Sequence, residues 1–284
     1  MDIRAELKSA KTALRQVGGE EIDAEILLAH TLGITRMELH NAVLVERTLA
    51  AISDLSEVHD QYDQAINRRV KGEPVQYITG KAYFAELELE VGPGVFIPRP
   101  ETELMIEPIV NHINNLQQSA VSVVELGAGS GALSIAIAAQ SDKARVIAVE
   151  KSEAAIEWLK RNIAKNEVDV RVIQGDVSDS LVDVKCDVVM ANPPYVPNQE
   201  VLPAEVVDFE PHMALFGGDD GLELPRIFIA VAARLLKSGG LLVLEHGEEQ
   251  SDALVAAMAD DFLEVIAHHD LNDRPRWISA IRRQ

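Results

Sequence analysis

Cysteine is nearly missing from this chain: one thiol, Cys186, in 284 residues excludes an internal disulfide framework and fits a reducing cytoplasm. Its place at the start of an apolar run reads as a small buried side chain. Basic residues are also short, with 26 Lys and Arg against 46 Asp and Glu and a net charge of -20. The deficit is spread along the chain: residues 1 to 100 carry 11 basic against 16 acidic side chains, leaving 15 against 30 beyond. Such a surface repels phosphate backbones, so direct binding to nucleic acid is not expected. Long apolar runs are absent, and no stretch of about 20 apolar residues is available to cross a bilayer. Met1-Asp2-Ile3-Arg4-Ala5-Glu6 lacks the apolar centre of a signal peptide, so no membrane association is expected. Against these shortages, 47% of the residues are hydrophobic, enough for a substantial core.

Residues 1–73 have helical periodicity and little strand character. Ile3, Leu7, Leu14 and Val17 form one apolar stripe, and Ile22, Ile26 and Leu27 begin another. Thr35-Arg36-Met37-Glu38 has capping-box spacing, and Ser53 is placed to cap a helix carrying Leu55, Val58, Tyr62, Ile66 and Val70, with Gly72 as its stop. A connector, residues 74–99, holds the alternation Tyr83, Ala85, Leu87, Leu89, Val91 of a β-hairpin. In Pro98-Arg99-Pro100-Glu101-Thr102-Glu103 the prolines stiffen the chain, and Glu101 and Thr102 read most simply as helix capping ahead of Leu104 and Ile109. From 100 to 284, strands near 121, 145, 170, 187 and 241, then Leu263–His269 and Trp277–Ile281, alternate with helices. That order implies an α/β fold, a doubly wound sheet with ligands at the carboxyl ends of its strands.

Chemistry gathers at those ends. Val121–Leu126 runs into Gly127-Ala128-Gly129-Ser130-Gly131 and then a helical run, a turn where missing Cβ atoms let backbone approach a ligand. The third glycine comes one residue too early for a dinucleotide fingerprint, and Glu125 before the loop suits a cationic ligand better than a pyrophosphate. Glu150, ending the second strand, is expected to grip ribose hydroxyls, and Asp176 and Val177 after the third are placed to edge an adenine. In that order these elements are the pattern of an S-adenosylmethionine site. After the fourth strand comes Asn192-Pro193-Pro194-Tyr195. Taken alone it reads equally as a rigid turn. In this setting the Asn192 oxygen and the Pro193 carbonyl can accept both hydrogens of an -NH2 group while Tyr195 offers a flat ring. His246 and the pair His268-His269 lack ligand spacing with other donors and read as structural.

The stretches Phe96-Ile97-Pro98-Arg99-Pro100-Glu101-Thr102-Glu103, Glu125 to Ala132, Asn192 to Pro197, Phe209-Glu210-Pro211 and Gly217-Gly218-Asp219-Asp220-Gly221-Leu222 together resemble the bacterial peptide chain release factor glutamine methyltransferases, the PrmC/HemK family. The resemblance covers essentially the whole chain. It implies a seven-stranded, Rossmann-like class I methyltransferase domain over 100–284, joined by the hairpin connector to a small N-terminal helical domain that recognises substrate. It further implies methyl transfer from S-adenosylmethionine to the side-chain amide (N5) of the glutamine in the Gly-Gly-Gln loop of class 1 release factors, in the cytoplasm and without a metal. By position, Gly127 to Gly131, Glu150, Val177 and Asn192 would bind the donor, and Asn192 to Tyr195 the substrate glutamine. The chain departs from the usual family pattern in having Glu rather than Asp at 125 and at 150, and Val177 where some relatives have an aromatic residue. The enzyme that methylates a glutamine of ribosomal protein L3 differs in its Pro-Arg-Ser-Pro type segment. DNA adenine methyltransferases share Asn-Pro-Pro-Tyr but need a basic face. A non-catalytic binding module on the same fold is the remaining alternative, and the intact glycine loop and tetrad argue against it.

Overall fold

A computed structural model describes residues 2–284, which fall into two compact units: one of residues 2–81 with 203–209, the other of residues 82–202 with 210–284. The first is helical: α1 (Ile3–Gln16), α2 (Glu21–Leu32), α3 (Arg36–Leu39), α4 (Ala42–Ala51), α5 (Leu55–Val70) and α6 (Val75–Thr79). Leu14, Leu27, Leu28, Tyr62 and Ile66 form its core, and the buried Tyr62 hydroxyl donates to the Ala24 carbonyl at 3.0 Å. Val17 and Ile22 are exposed instead of joining the expected stripes, because Val17 is the C-cap of α1 and leaves the helical phase, while Ile22 sits in the first turn of α2. Thr35 and Glu38 make the expected capping box. The cap of α5 is Asp54 rather than Ser53: its Oδ1 accepts from Ser56 N at 2.9 Å and Glu57 N at 3.2 Å, and a carboxylate there also complements the helix dipole. Residues 203–209, with the short α10 (Ala204–Val207), belong to this unit; Arg69 lies between Asp23 at 2.6 Å and Glu205 at 2.8 Å.

The hairpin strands β1 (Lys81–Phe84) and β2 (Leu87–Glu90) are joined at Ala85 and Glu86, both in the left-handed region, which is the two-residue turn that matches strand twist without using glycine. A 3-10 turn, Pro100–Met105, precedes α7 (Ile106–Asn115), so the helix expected from Glu101 starts later than its acids suggest. Then come β3 (Val121–Leu126), α8 (Ala132–Gln140), β4 (Ala144–Glu150), α9 (Glu153–Lys165), β5 (Val170–Gln174), β6 (Cys186–Ala191), α11 (Glu223–Leu235), β7 (Leu236–Glu245), α12 (Ser251–Met258), β8 (Phe262–His269) and β9 (Pro275–Arg282). The seven strands from β3 to β9 form one sheet in the order β5-β4-β3-β6-β7-β9-β8, parallel except for β9, which runs against both neighbours. The fold is α/β as expected, with helices covering both faces. β6 is buried along its whole length, as a central parallel strand must be, and Cys186 at its start is fully buried, which pushes its thiol up to about 12. Strand order reverses between β3 and β6, so their carboxyl ends diverge into the crevice where doubly wound sheets bind ligands. Among the described residues no helix is long and apolar enough to cross a membrane.

Candidate active site

The glycine loop leaves β3 and opens α8. Gly127 N and Ala128 N both donate to the Val149 carbonyl, at 2.9 and 3.0 Å, which bends the loop over the end of β4. Gly131 caps α8 with φ 84°, and a Cβ there would stand 2.3 Å from Leu159, so the helix packs against α9 only because that position is glycine. A Cβ on Gly129 would instead meet nothing within 4 Å, so the backbone of the loop is open there to a close-lying ligand. Glu150 braces this loop. Its Oε2 accepts from Gly129 N at 2.8 Å and its Oε1 from Lys151 N at 2.8 Å and Ser152 N at 2.7 Å, which places a buried carboxylate directly beside the loop. A residue not expected in this role, Asn162 on α9, is fully buried and donates to the carbonyls of Ser130 and Glu90, both at 3.0 Å, tying the hairpin to the loop. An inward Asn amid the apolar stripe of α9 was its signal.

One acid differs from its expected use. Glu125 does not turn to a cationic ligand; its Oε2 accepts from Ser134 N at 2.9 Å and from the Ser134 hydroxyl, closing the first turn of α8. Complete burial pushes its carboxyl up to about 8 in spite of those bonds. Asp176 is held to about 2 chiefly by the Ser178 hydroxyl at 2.6 Å and then by Lys151 at 2.9 Å, so its carboxylate is engaged in a turn and an ion pair at the rim. Val177 is half-buried against the core under β5.

On the other side of the crevice, Asn192 to Tyr195 leave β6. The tetrad is braced by the Gly217–Leu222 turn: Val196 N donates to the Leu215 carbonyl at 2.9 Å, Gly217 N to the Val196 carbonyl at 2.8 Å and Asn198 N to the Gly218 carbonyl at 2.9 Å. Gln250 adds a bond from Nε2 to the Tyr195 carbonyl at 2.8 Å. Glu210 secures the stiff Pro98–Pro100 segment, accepting from Ile97 N at 3.0 Å and Arg99 Nη2 at 2.5 Å. Asn192 Nδ2 donates to Thr102 Oγ1 at 3.2 Å, and Thr102 Oγ1 donates to Glu245 Oε2 at 2.5 Å. The Tyr195 hydroxyl lies 3.5 Å from Glu245 Oε1, and burial followed by the Glu245 charge pushes its ionisation up. Thr102 therefore caps no helix; it is buried beneath Asn192. Glu245 was missed. An acid closing the strand next to Asn192 was the available signal, because Ala191 and Leu244 are paired in register. His246 is fully buried with Nδ1 on the Gly247 carbonyl at 2.7 Å, a structural place.

Comparison with known proteins gives matches over nearly the whole chain. Residues 6–80 match the PrmC N-terminal domain and residues 93–209 the Methyltransferase small domain. A release factor glutamine methyltransferase of Mycolicibacterium smegmatis is 41% identical over 98% of this chain and 96% of its own length. One from Streptomyces coelicolor is 38% identical over 97% and 96%. Among solved structures, a 16S rRNA methyltransferase of T. thermophilus in complex with AdoMet and guanosine superposes with a TM-score of 0.52 at 22% identity, over 72% of this chain and 50% of its own, a likeness of fold.

Proposed function

The chain belongs to the release factor glutamine methyltransferase family, and from that premise we infer that it transfers a methyl group from S-adenosylmethionine to a glutamine side-chain amide of a release factor. The observation that carries this reading is the Asn192 amide. With Nδ2 committed to Thr102, Oδ1 has no protein partner among the described residues and stands at the carboxyl end of β6, one strand from the glycine loop. Asn192 Oδ1 accepts one N–H of the substrate amide and the Pro193 carbonyl accepts the other. An amide nitrogen is a poor nucleophile because its lone pair is delocalised into the carbonyl. Holding both hydrogens turns that lone pair toward the methyl donor, and positioning of this kind is worth several kcal/mol, up to roughly 7 to 11 in favourable systems. Tyr195 gives the flat side chain a surface, and the proton released after transfer leaves to water. When bound, the donor supplies an electrophilic methyl on a sulfonium. Gly127 to Gly131 and Glu150 would hold it, with Val177 and the Asp176 turn at its edge.

The finer assignments belong to the same proposal: N5 of the glutamine in the Gly-Gly-Gln loop of class 1 factors as the target, the N-terminal helical unit as the reader of the factor, and the cytoplasm as the place of action. A net charge of -20 supports a protein substrate over a nucleic acid one. Incubating the protein with labelled donor and a release factor, then mapping the label by mass spectrometry, tests the reading. Label on that glutamine supports it. No transfer to the factor, undiminished transfer to a Gln→Glu factor, or robust transfer to duplex DNA overturns it.

A further inference from the structure

We propose that Glu245, acting through Thr102, is the positioning residue that decides which way round the Asn192 amide faces, and so makes the site select a donor N–H in its substrate. The proposal rests on the methyl-transfer reading above and names a residue for it.

Three side chains from distant segments form one directed chain: Asn192 Nδ2 to Thr102 Oγ1 at 3.2 Å, Thr102 Oγ1 to Glu245 Oε2 at 2.5 Å. A threonine hydroxyl has a single proton. An ionised carboxylate can only accept, so Glu245 takes that proton and leaves Thr102 Oγ1 with lone pairs toward Asn192. The asparagine must then present its NH2 to Thr102. A flipped amide would set Oδ1 against those lone pairs, with no hydrogen between two acceptors. Oδ1 is thereby aimed at the substrate, where it accepts from an amide and repels a carboxylate.

The partners of Glu245 separate this role from a scaffold role. Of the other well-buried carboxylates, Asp23 is ion-paired with Arg69 at 2.6 Å, and the rest hold backbone N–H groups: Glu125 that of Ser134, Glu150 those of Gly129, Lys151 and Ser152, Glu210 that of Ile97, Asp187 that of Ser122, and Asp270 those of Asn272 and Arg274. Among the described residues Glu245 holds only two side chains, Thr102 and Tyr195, although it is 1% exposed at the end of a central strand. A carboxyl that fixes no backbone yet is kept out of water has its consequence in the groups it touches.

Its surroundings also bring its ionisation into the working range. Burial pushes the carboxyl up to about 7; the Thr102 hydroxyl and the Arg276 guanidinium pull it down, Glu101 raises it, and the Tyr195 hydroxyl lowers it. Below that value the protonated acid can itself donate to Thr102, which frees the threonine hydrogen to donate to Asn192 and makes both amide orientations available. Turnover should therefore rise with pH through about 7 and level off above it.

The test compares wild type with Thr102→Val, Thr102→Ser, Glu245→Gln and the Thr102→Val/Glu245→Gln double variant, reading kcat and KM for a release factor across pH and donor affinity by calorimetry. Glu245→Gln and Thr102→Val should each lower kcat by more than about tenfold with donor affinity within about threefold of wild type. Thr102→Ser, which keeps the hydroxyl, should recover most of the Thr102→Val loss. The double variant should fall no further than the worse single, since both act through one hydrogen bond. The rise near pH 7 should be lost in Glu245→Gln. Should Glu245→Gln fail to fold, the Thr102 pair carries the same expectation. A Glu245→Gln or Thr102→Val enzyme with near wild-type kcat, a double variant whose loss is the product of the singles, or losses that lie in donor affinity overturn the proposal. A wild-type enzyme that leaves the factor unlabelled refutes the substrate reading and this proposal together, whereas labelling by wild type with unimpaired variants refutes only this one.

Discussion

Gly217→Ala tests whether the Gly217–Leu222 turn holds the Asn192–Tyr195 loop in its working position. Gly217 has no need of unusual dihedrals; its constraint is space. A Cβ placed on it would stand 2.4 Å from the Pro194 carbonyl oxygen, 2.7 Å from the Gly221 oxygen and 2.9 Å from the Tyr195 Cα. All three are backbone atoms, so no side chain can swing aside to relieve the contact. A carbon and an oxygen without a hydrogen between them settle about 3.5 Å apart, so the loop must move by roughly 1 Å. Displacement of that size at a catalytic group costs about a hundredfold in rate, and the overpacking costs about 1 to 3 kcal/mol in stability. The glycine loop lies on β3, on the far side of the crevice, and should bind donor as before. The expected outcome is kcat on release factor about a hundredfold lower, donor affinity by calorimetry within a fewfold, and a modestly lower Tm. Activity within about threefold of wild type in a folded variant would refute the idea that this turn sets the loop.

Asn192→Ala should lower turnover by about 2 to 4 kcal/mol of transition-state stabilisation while donor affinity changes much less, and a variant keeping more than roughly a tenth of wild-type rate would remove Asn192 from its role. Glu150→Ala deprives three backbone N–H groups of their acceptor and should weaken donor binding by about 1.5 to 3 kcal/mol with little change in rate at saturating donor; calorimetry showing unchanged affinity would place the ribose elsewhere. Glu125 gives a pH dependence whose sign is opposite to that of a salt-bridged acid. Its folded value of about 8 lies above its unfolded one, so between the two the unfolded chain binds fewer protons, and stability present at low pH is lost as pH rises through about 8. Scanning calorimetry should show Tm falling from about pH 5 to 8 and a shallower fall in Glu125→Gln; equal slopes would contradict the assignment.

The sequence by itself determined the elements that depend on near neighbours and period. Alternation and apolar runs located the hairpin and the seven strands, although β1 buries Ala82 and Phe84 rather than Tyr83 and turns at Ala85; the capping box of Thr35 and Glu38 was visible at spacing three, and the glycine loop and Asn-Pro-Pro-Tyr each lie within five consecutive residues. Local chemistry went astray where a side chain had a choice of partner. Ser53 and Asp54 are equally suited to cap α5, and Glu125 carries no mark that says it will turn to Ser134. Only the tertiary structure could bring Thr102, Asn192 and Glu245 together. They are up to 143 residues apart, and their meeting depends on β6 and β7 being neighbours in register and on Glu210 pinning the segment that carries Thr102. Adjacency of parallel strands is settled by how crossover helices cover both faces of the sheet, an energy summed over the whole core, and no stretch of chain short enough to read as a motif contains it.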